Sequence, residues 1–118
     1  MDRAAAEHFA ENWLGAWNSR DLPRILDHYE EDFEMSSPLI VHIAAEPSGK
    51  LRGKRAIGEY WRKALAATPY LRFELLCVFA GVDSVVVHYR SHRGLCAEVM
   101  RIGASGKVIS ASAHYQEP

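Results

Sequence analysis

Cysteine is scarce in this chain: Cys77 and Cys96 are the only two in 118 residues. They form no C-x-x-C motif and are too few to staple a small secreted scaffold, so a reducing cytoplasm is the expected compartment. Surplus charge is also missing, with 14 Lys and Arg against 15 Asp and Glu, a net of −1. A nucleic-acid binder carries a basic footprint, and a polybasic membrane-surface protein carries clustered cations; neither is present. No apolar run approaches about 18 residues, so no membrane-spanning helix is expected. The start, Met1-Asp2-Arg3-Ala4-Ala5-Ala6-Glu7-His8, lacks the apolar centre of a signal peptide. There is no internal repeat, low-complexity stretch or linker, which predicts one domain over residues 1–118. Nucleophile elbows, P-loops and dinucleotide fingerprints are absent too. Gly103-Ala104-Ser105-Gly106 joins two expected strands, not a strand and a helix, so it reads as a turn.

What the chain does have is apolar patterning. It is 48% hydrophobic and 10% aromatic, ordinary for a soluble globular domain with a real core. From Arg3 to Asn18, apolar residues at Ala6, Phe9, Ala10, Trp13, Leu14 and Trp17 mark one helical face. Asn18-Ser19-Arg20-Asp21 breaks it. Asp21 is a good N-cap, and Pro23 suits the first turn of a second helix reaching about Tyr29. Glu30-Glu31-Asp32 reads as a polar turn. Phe33 to Ser36 alternates like a short strand, limited by Pro38. Leu39 to Ile43 extends that strand or begins another, inside a candidate loop from Pro38 to Gly53. A third helix starts at Gly53, with Ala56, Ile57, Tyr60, Trp61, Ala64 and Leu65 as its stripe, and Thr68-Pro69 ends it.

The period then changes to two. Leu71 to Ala80 alternates, with Phe73, Leu75, Cys77 and Phe79 on one side. Ser84 to Ser91, Leu95 to Ile102 and Lys107 to Tyr115 are three more strands separated by turns. Helices packed on one face of a mainly antiparallel sheet define an α+β fold.

Several motifs in this order resemble the nuclear transport factor 2-like superfamily, which includes ketosteroid isomerase and the SnoaL-like polyketide cyclases. They are Trp17-Asn18-Ser19-Arg20-Asp21, then Tyr29-Glu30-Glu31-Asp32-Phe33 and Ser37-Pro38. Leu51-Arg52-Gly53-Lys54-Arg55-Ala56-Ile57 with Tyr60-Trp61 follows, and Glu98 to Ile102 with Gly106 to Ile109 makes the last hairpin. The resemblance covers nearly the whole chain. It implies a cone-shaped α+β barrel: three N-terminal helices packed in a strongly bent antiparallel or mixed sheet. It also implies an apolar pocket at the cone mouth and a dimer through the outer sheet face. It does not specify an activity, because the superfamily hosts enzymes, binding proteins and accessory domains.

The resemblance also suggests site positions. In the isomerase a carboxylate base shuttles a proton, while a tyrosine hydroxyl and a neutral carboxylic acid stabilise an enolate oxygen. The base position falls on Ser37, whose hydroxyl is no general base near neutral pH without an activating partner. True ketosteroid-type proton transfer is therefore not expected. The tyrosine position falls on Trp13, an N–H donor without a phenol's acidity. The second acid position falls on Glu98. Alternation puts Cys96, Glu98, Met100 and Ile102 on one strand face, which looks into the cone. A lone carboxyl there would have a raised pKa and serve as acid, base or hydrogen-bond donor. The competing reading has Glu98 in water or paired with an arginine, since a one-residue slip of register flips the face.

Trp13, Trp17, Tyr29, Met35, Ser37, Tyr60, Phe73, Val87, Tyr89, Met100, Ala111 and Tyr115 are the expected pocket residues, with aromatics also packing the core. The six histidines show no H-x-x-x-H pair or nearby carboxylate spacing, so no metal or other cofactor is expected. His88 and Arg90 share the outer face with Val86. A dehydratase of the superfamily uses two pocket histidines, and His88 with His114 would match only in the opposite register. Leu39 to Gly49 is too apolar for an exposed loop, and is expected to cover the pocket mouth or meet a partner subunit. Leu76, Val78, Val86, Val99 and Val108 are the expected outward apolar positions of a dimer face. Two functions stand: a non-catalytic binder of a small apolar or weakly polar ligand, or an isomerase-, cyclase- or lyase-type enzyme. The second would use Glu98 on a polyketide-, steroid- or terpenoid-like substrate.

Overall fold

The computed structural model describes residues 1–118. Asp2 begins helix α1 (Arg3–Ser19), its carboxylate accepting the Ala5 N–H at 2.8 Å. Arg20 ends that helix in the left-handed conformation, φ 61°, with its N–H bonded to Trp17 O. Its guanidinium then donates to the carbonyls of Leu65 and Thr68 at 2.5 and 2.7 Å. These carbonyls close helix α4 (Lys54–Ala67), so one side chain ties two helix C-termini together. Asp21 caps the short helix α2 (Leu22–Leu26), with Pro23 in its first turn.

Strand β1 (Tyr29–Ser36) follows. It corrects the sequence reading twice: α2 stops at Leu26, and Glu30-Glu31-Asp32 is strand, not turn. Tyr29 pairs with Val108 of strand β6 (Val108–Tyr115), and the pairing slips before resuming at Glu34. The slip leaves Glu31 and Asp32 exposed while Tyr29 and Phe33 are both buried. Tyr29 is fully enclosed, with the Phe33 ring 4.4 Å and the Trp61 ring 5.0 Å away.

The segment after β1 is a third correction. Leu39–Ile43 is not a strand but part of helix α3 (Pro38–Ile43). Ser37 Oγ accepts the Leu39 N–H at 3.2 Å, and Pro38 occupies the first helical position. An N-cap serine followed by proline starts a helix; the apolar run alone did not separate strand from helix. Strand β2 (Lys50–Arg52), only three residues, then pairs antiparallel with β1.

The remaining strands are β3 (Glu74–Ala80), β4 (Ser84–Ser91) and β5 (Gly94–Ile102). With β6 they complete a six-stranded sheet in the order β2-β1-β6-β5-β4-β3. Only β1 and β6 run parallel. The sheet is bent and unclosed, and the helices pack inside the bend. This is the α+β cone architecture the sequence implied.

Four outward and inward assignments change. A bulge between Leu75 and Cys77 reverses the parity of β3, so Cys77 and Phe79 face out, Phe79 at 58% exposure. Val78 instead packs on the core. A second irregularity between Arg101 and Ile102 accompanies a fully buried Val108, which therefore leaves the expected outer set. Leu76 and Val99 remain exposed and Val86 half-buried.

α1 and β3 are locked by Asn18. Its side-chain amide donates to Phe73 O at 2.9 Å, and its carbonyl oxygen accepts the Phe73 N–H at 2.7 Å. Phe73 is thereby held against Trp13, Trp17 and Tyr89.

Candidate functional site

A cavity of about 100 Å³ lies between the helices and the inner face of the sheet. Its floor comes from the α1 stripe and from β4 and β5. Trp13 and Trp17 lie one helical turn apart on α1 with their rings 6.3 Å apart. Tyr89 of β4 and Glu98 of β5 reach the cavity from the sheet. Strand alternation holds here without a bulge: Cys96, Glu98 and Met100 are buried while Val99 and Arg101 are exposed. Glu98 has Val87 and Ala113 as cross-strand neighbours, so neither flank supplies a cation.

Glu98 is 4% exposed and has one hydrogen bond, from the Tyr89 hydroxyl to Oε1 at 3.3 Å. Burial pushes its carboxyl up to about 7, and the Tyr89 bond only partly opposes that. The carboxyl therefore holds its proton to a higher pH than an exposed glutamate does. The hydroxyls of Tyr29, Tyr60, Tyr89 and Tyr115 are all held above the ordinary phenol value. Burial is the first cause in each, and the Glu98 charge adds to it. All four thus stay protonated at neutral pH. Ser37 lies near the Tyr60 and Tyr115 hydroxyls and moderates their shifts.

The two indole N–H groups differ. Trp13 Nε1 donates to the Tyr29 hydroxyl at 2.8 Å, so it is occupied within the core. Trp17 Nε1 is buried without a partner. It sits close enough to the Tyr29 hydroxyl to moderate that group's shift, so it faces the core, and an unpaired buried donor there costs about 1–3 kcal/mol.

The rim comes from separate elements. α3 contributes Leu39 and Ile43, the end of α4 contributes Ala67 and Thr68, and Leu71 follows. Ser91, His92 and Arg93 come from the β4–β5 turn. Thus the segment expected to cover the mouth does place two side chains there.

Of the expected pocket residues, Trp13, Trp17, Met35, Tyr60, Phe73, Tyr89 and Tyr115 line the cavity together with Glu98. Tyr29, Ser37, Val87, Met100 and Ala111 do not. Val87 and Met100 are fully enclosed in the core, and Ala111 is buried beside them on β6. Ser37 is spent as the cap of α3, with no carboxylate or histidine to activate it. Trp61, edge-on against Trp17 at 5.0 Å, also lines the space. Thr68, Leu71, His92 and Arg93 were missed because they converge from a helix end and turns far apart in sequence. The tight turn at His92-Arg93-Gly94 was the only available signal.

His88 and His114 lie on the outer face, each opposite Ala97. Cys77 Sγ is 3.4 Å from His88 Nδ1 on that same face. His92 alone among the histidines reaches the cavity. No three His, Cys, Asp or Glu side chains converge to hold a metal ion.

A bent mixed sheet wrapped around helices, with an inner aromatic cavity, defines a cone-fold domain. The family model for the SnoaL-like domain matches residues 10–115, and the chain belongs to that family. It is similar to a SnoaL-like protein of unknown function from Burkholderia thailandensis, at 52% identity and a TM-score of 0.92, covering 97% of this chain and 96% of that one. More remote structures share the fold. An NTF2-like protein of unknown function from Burkholderia pseudomallei has 15% identity and a TM-score of 0.74, with 99% and 93% coverage. SalBIII, an epoxide hydrolase/cyclase-like enzyme with a role in pyran ring formation in the polyether salinomycin, has 17% identity and a TM-score of 0.76, with 97% and 92% coverage. No curated protein matches the chain.

Proposed function

We propose that this domain binds a small, mostly apolar molecule in the cone cavity and that Glu98 transfers a proton to or from it. The reaction class is isomerase-, cyclase- or lyase-like. The observation that carries this reading is Glu98 itself: a carboxyl buried among aromatic side chains, titrating near 7, with one hydrogen bond and open lone pairs. A group with that pKa works as either acid or base at neutral pH. The Tyr60 and Tyr115 hydroxyls line the cavity and are donors available to a ligand oxygen on which charge develops. SalBIII, described as cyclase-like, gives the reading a precedent on this fold.

Ser37 and Trp13 limit the mechanism. Ser37 is committed to capping α3 and Trp13 to Tyr29, so the two-group arrangement of ketosteroid isomerization is absent. Those two residues favour the second reading, a non-catalytic ligand carrier in which Glu98 only donates a hydrogen bond. Size narrows the ligand in both cases. A dry cavity of about 150 Å³ holds benzene, so about 100 Å³ is tight for one ring and takes a small group or the end of a longer molecule. A whole steroid requires α3 to move or most of the ligand to stay outside.

The working form is a homodimer, because Leu76, Phe79, Val99 and Ile109 leave apolar side chains on the outer sheet. Two free cysteines fit a cytoplasmic setting. No helix is long and apolar enough to cross a membrane. The test is a thermal-shift screen of terpenoids, polyketide-like aromatics and steroids against wild type and Glu98→Gln. A ligand that raises the wild-type melting temperature and is turned over only with Glu98 intact supports the enzyme reading. Binding without turnover, unchanged in Glu98→Gln, removes Glu98 from the function.

A further inference from the structure

We propose that the cavity takes an anionic ligand, with Arg93 at the mouth holding a carboxylate or similar acidic group while an apolar body fills the aromatic interior. This rests on the cavity being a ligand site, as proposed above.

Arg93 is the single Lys or Arg among the 18 residues that line the cavity, and Glu98 is the single carboxylic acid. They stand at opposite ends: Arg93 exposed in the β4–β5 turn, Glu98 buried in mid-strand. The guanidinium of Arg93 has no ion pair and no hydrogen bond, and only its backbone N–H is engaged, to Ser91 Oγ at 3.1 Å. Arg3, Arg52, Arg62 and Arg101 each have a carboxylate partner; Arg24, Arg55, Arg72 and Arg90 are unpaired like Arg93, but none of them lines the cavity. Arg20 is consumed by the end of α4. The cavity therefore has an unspent five-donor fork at its entrance, the geometry that suits a carboxylate.

Arg93 is not the counterion of Glu98. The Glu98 shift has burial and Tyr89 as its causes, with no contribution from Arg93. The positive charge does act on the mouth, where it lowers the pKa values of His92 and Tyr60 against the opposing or reinforcing effects of burial. His92, its ring set edge-on to Tyr70 at 5.5 Å, adds a neutral polar group beside the guanidinium.

The arrangement also orients the ligand. Arg93 stands in the turn and Glu98 five residues further on, in mid-strand, so at most roughly 16 Å of chain separates their backbones. An acidic group placed deep would meet a low dielectric and the Glu98 carboxylate. Placed at the rim, it meets Arg93 and solvent. The acid thus points out and the neutral end points in, toward Glu98 and the aromatic walls. An elongated carboxylic acid with a ring or branched apolar body satisfies both ends.

All three tryptophans of the chain line the cavity, so their fluorescence reports its occupancy. The probes are 3-phenylpropionate and its neutral isosteres 3-phenylpropanamide and 3-phenylpropanol, titrated at low and high salt. Wild type is expected to bind the acid about fivefold more tightly than the amide, the range of a partly exposed ion pair. High salt should shrink that preference. Arg93→Gln should abolish the preference with little change for the amide, and Arg93→Lys should keep part of it. Arg93 is exposed, so neither variant threatens the fold. Equal wild-type binding of acid and amide overturns the anion site and leaves the ligand cavity standing, as does an equal loss of both in Arg93→Gln. Failure of all three probes to perturb the fluorescence overturns the cavity reading and the anion site with it.

Discussion

Glu98→Gln should remove a pH dependence of stability that wild type carries between about pH 4.5 and 7. Unfolded, the Glu98 carboxyl ionises near its ordinary value of 4.5; folded, it ionises near 7. In the window between, the native state holds a proton that the unfolded chain has released. Stability therefore falls as pH rises, by about 1.4 kcal/mol per pH unit for one such proton. It is complete below about 4.5 and fully lost above about 7. Over the window the loss is about 3 kcal/mol, which corresponds to roughly 10 °C in melting temperature for a domain of this size. Gln has the same shape and cannot ionise. Its stability should match wild type within about 1 kcal/mol at pH 5, where Glu98 is protonated, and exceed it at pH 8. His92 titrates in the same region with the opposite sign. Its pKa is lowered on folding, by burial first and then by Arg93, so its contribution is lost as pH falls. That contribution is common to both proteins and cancels in the difference. Urea unfolding followed by tryptophan fluorescence at pH 5, 6, 7 and 8 gives the two curves. Parallel curves for wild type and Glu98→Gln would refute a buried, proton-holding Glu98.

Trp13→Phe should cost about 2–3 kcal/mol in urea unfolding, because the Tyr29 hydroxyl loses its donor in a closed core and the smaller ring leaves a void. Asn18→Ala should cost about 2 kcal/mol by the same assay, since Phe73 loses partners for both its N–H and its carbonyl. Sedimentation at micromolar concentration should return twice the chain mass, and an arginine at the outward Val99 should reduce it to the monomer. A wild-type monomer at those concentrations rejects the outer-face dimer.

The legible parts of the fold were those with an uninterrupted period. The α1 stripe, the α4 stripe and the alternation of β4 and β5 could be read directly, and with them the inward face of Glu98. What could not be read has local physical causes. Leu39–Ile43 is a run too short and too apolar for its period to separate helix from strand, and the decision falls to the Ser37 cap and Pro38. A three-residue strand such as β2 exists only through its pairing with β1. The bulge after Leu75 reverses Cys77 and Phe79, and no sequence alternation records an inserted residue. The cavity divides the same way. Its floor comes from periodic elements and was found; the rim residues Thr68, Leu71, His92 and Arg93 come from a helix end and turns that only the tertiary structure assembles.

The central claim is that a carboxyl in the cavity exchanges its proton near neutral pH. Titration of the Glu98 side-chain carbonyl carbon by NMR, assigned by its disappearance in Glu98→Gln, measures this directly. The account predicts a midpoint near pH 7, against an ordinary value of 4.5. A midpoint at or below 4.5 would contradict it, because Glu98 would then be a solvated or ion-paired carboxylate with no proton to give at neutral pH.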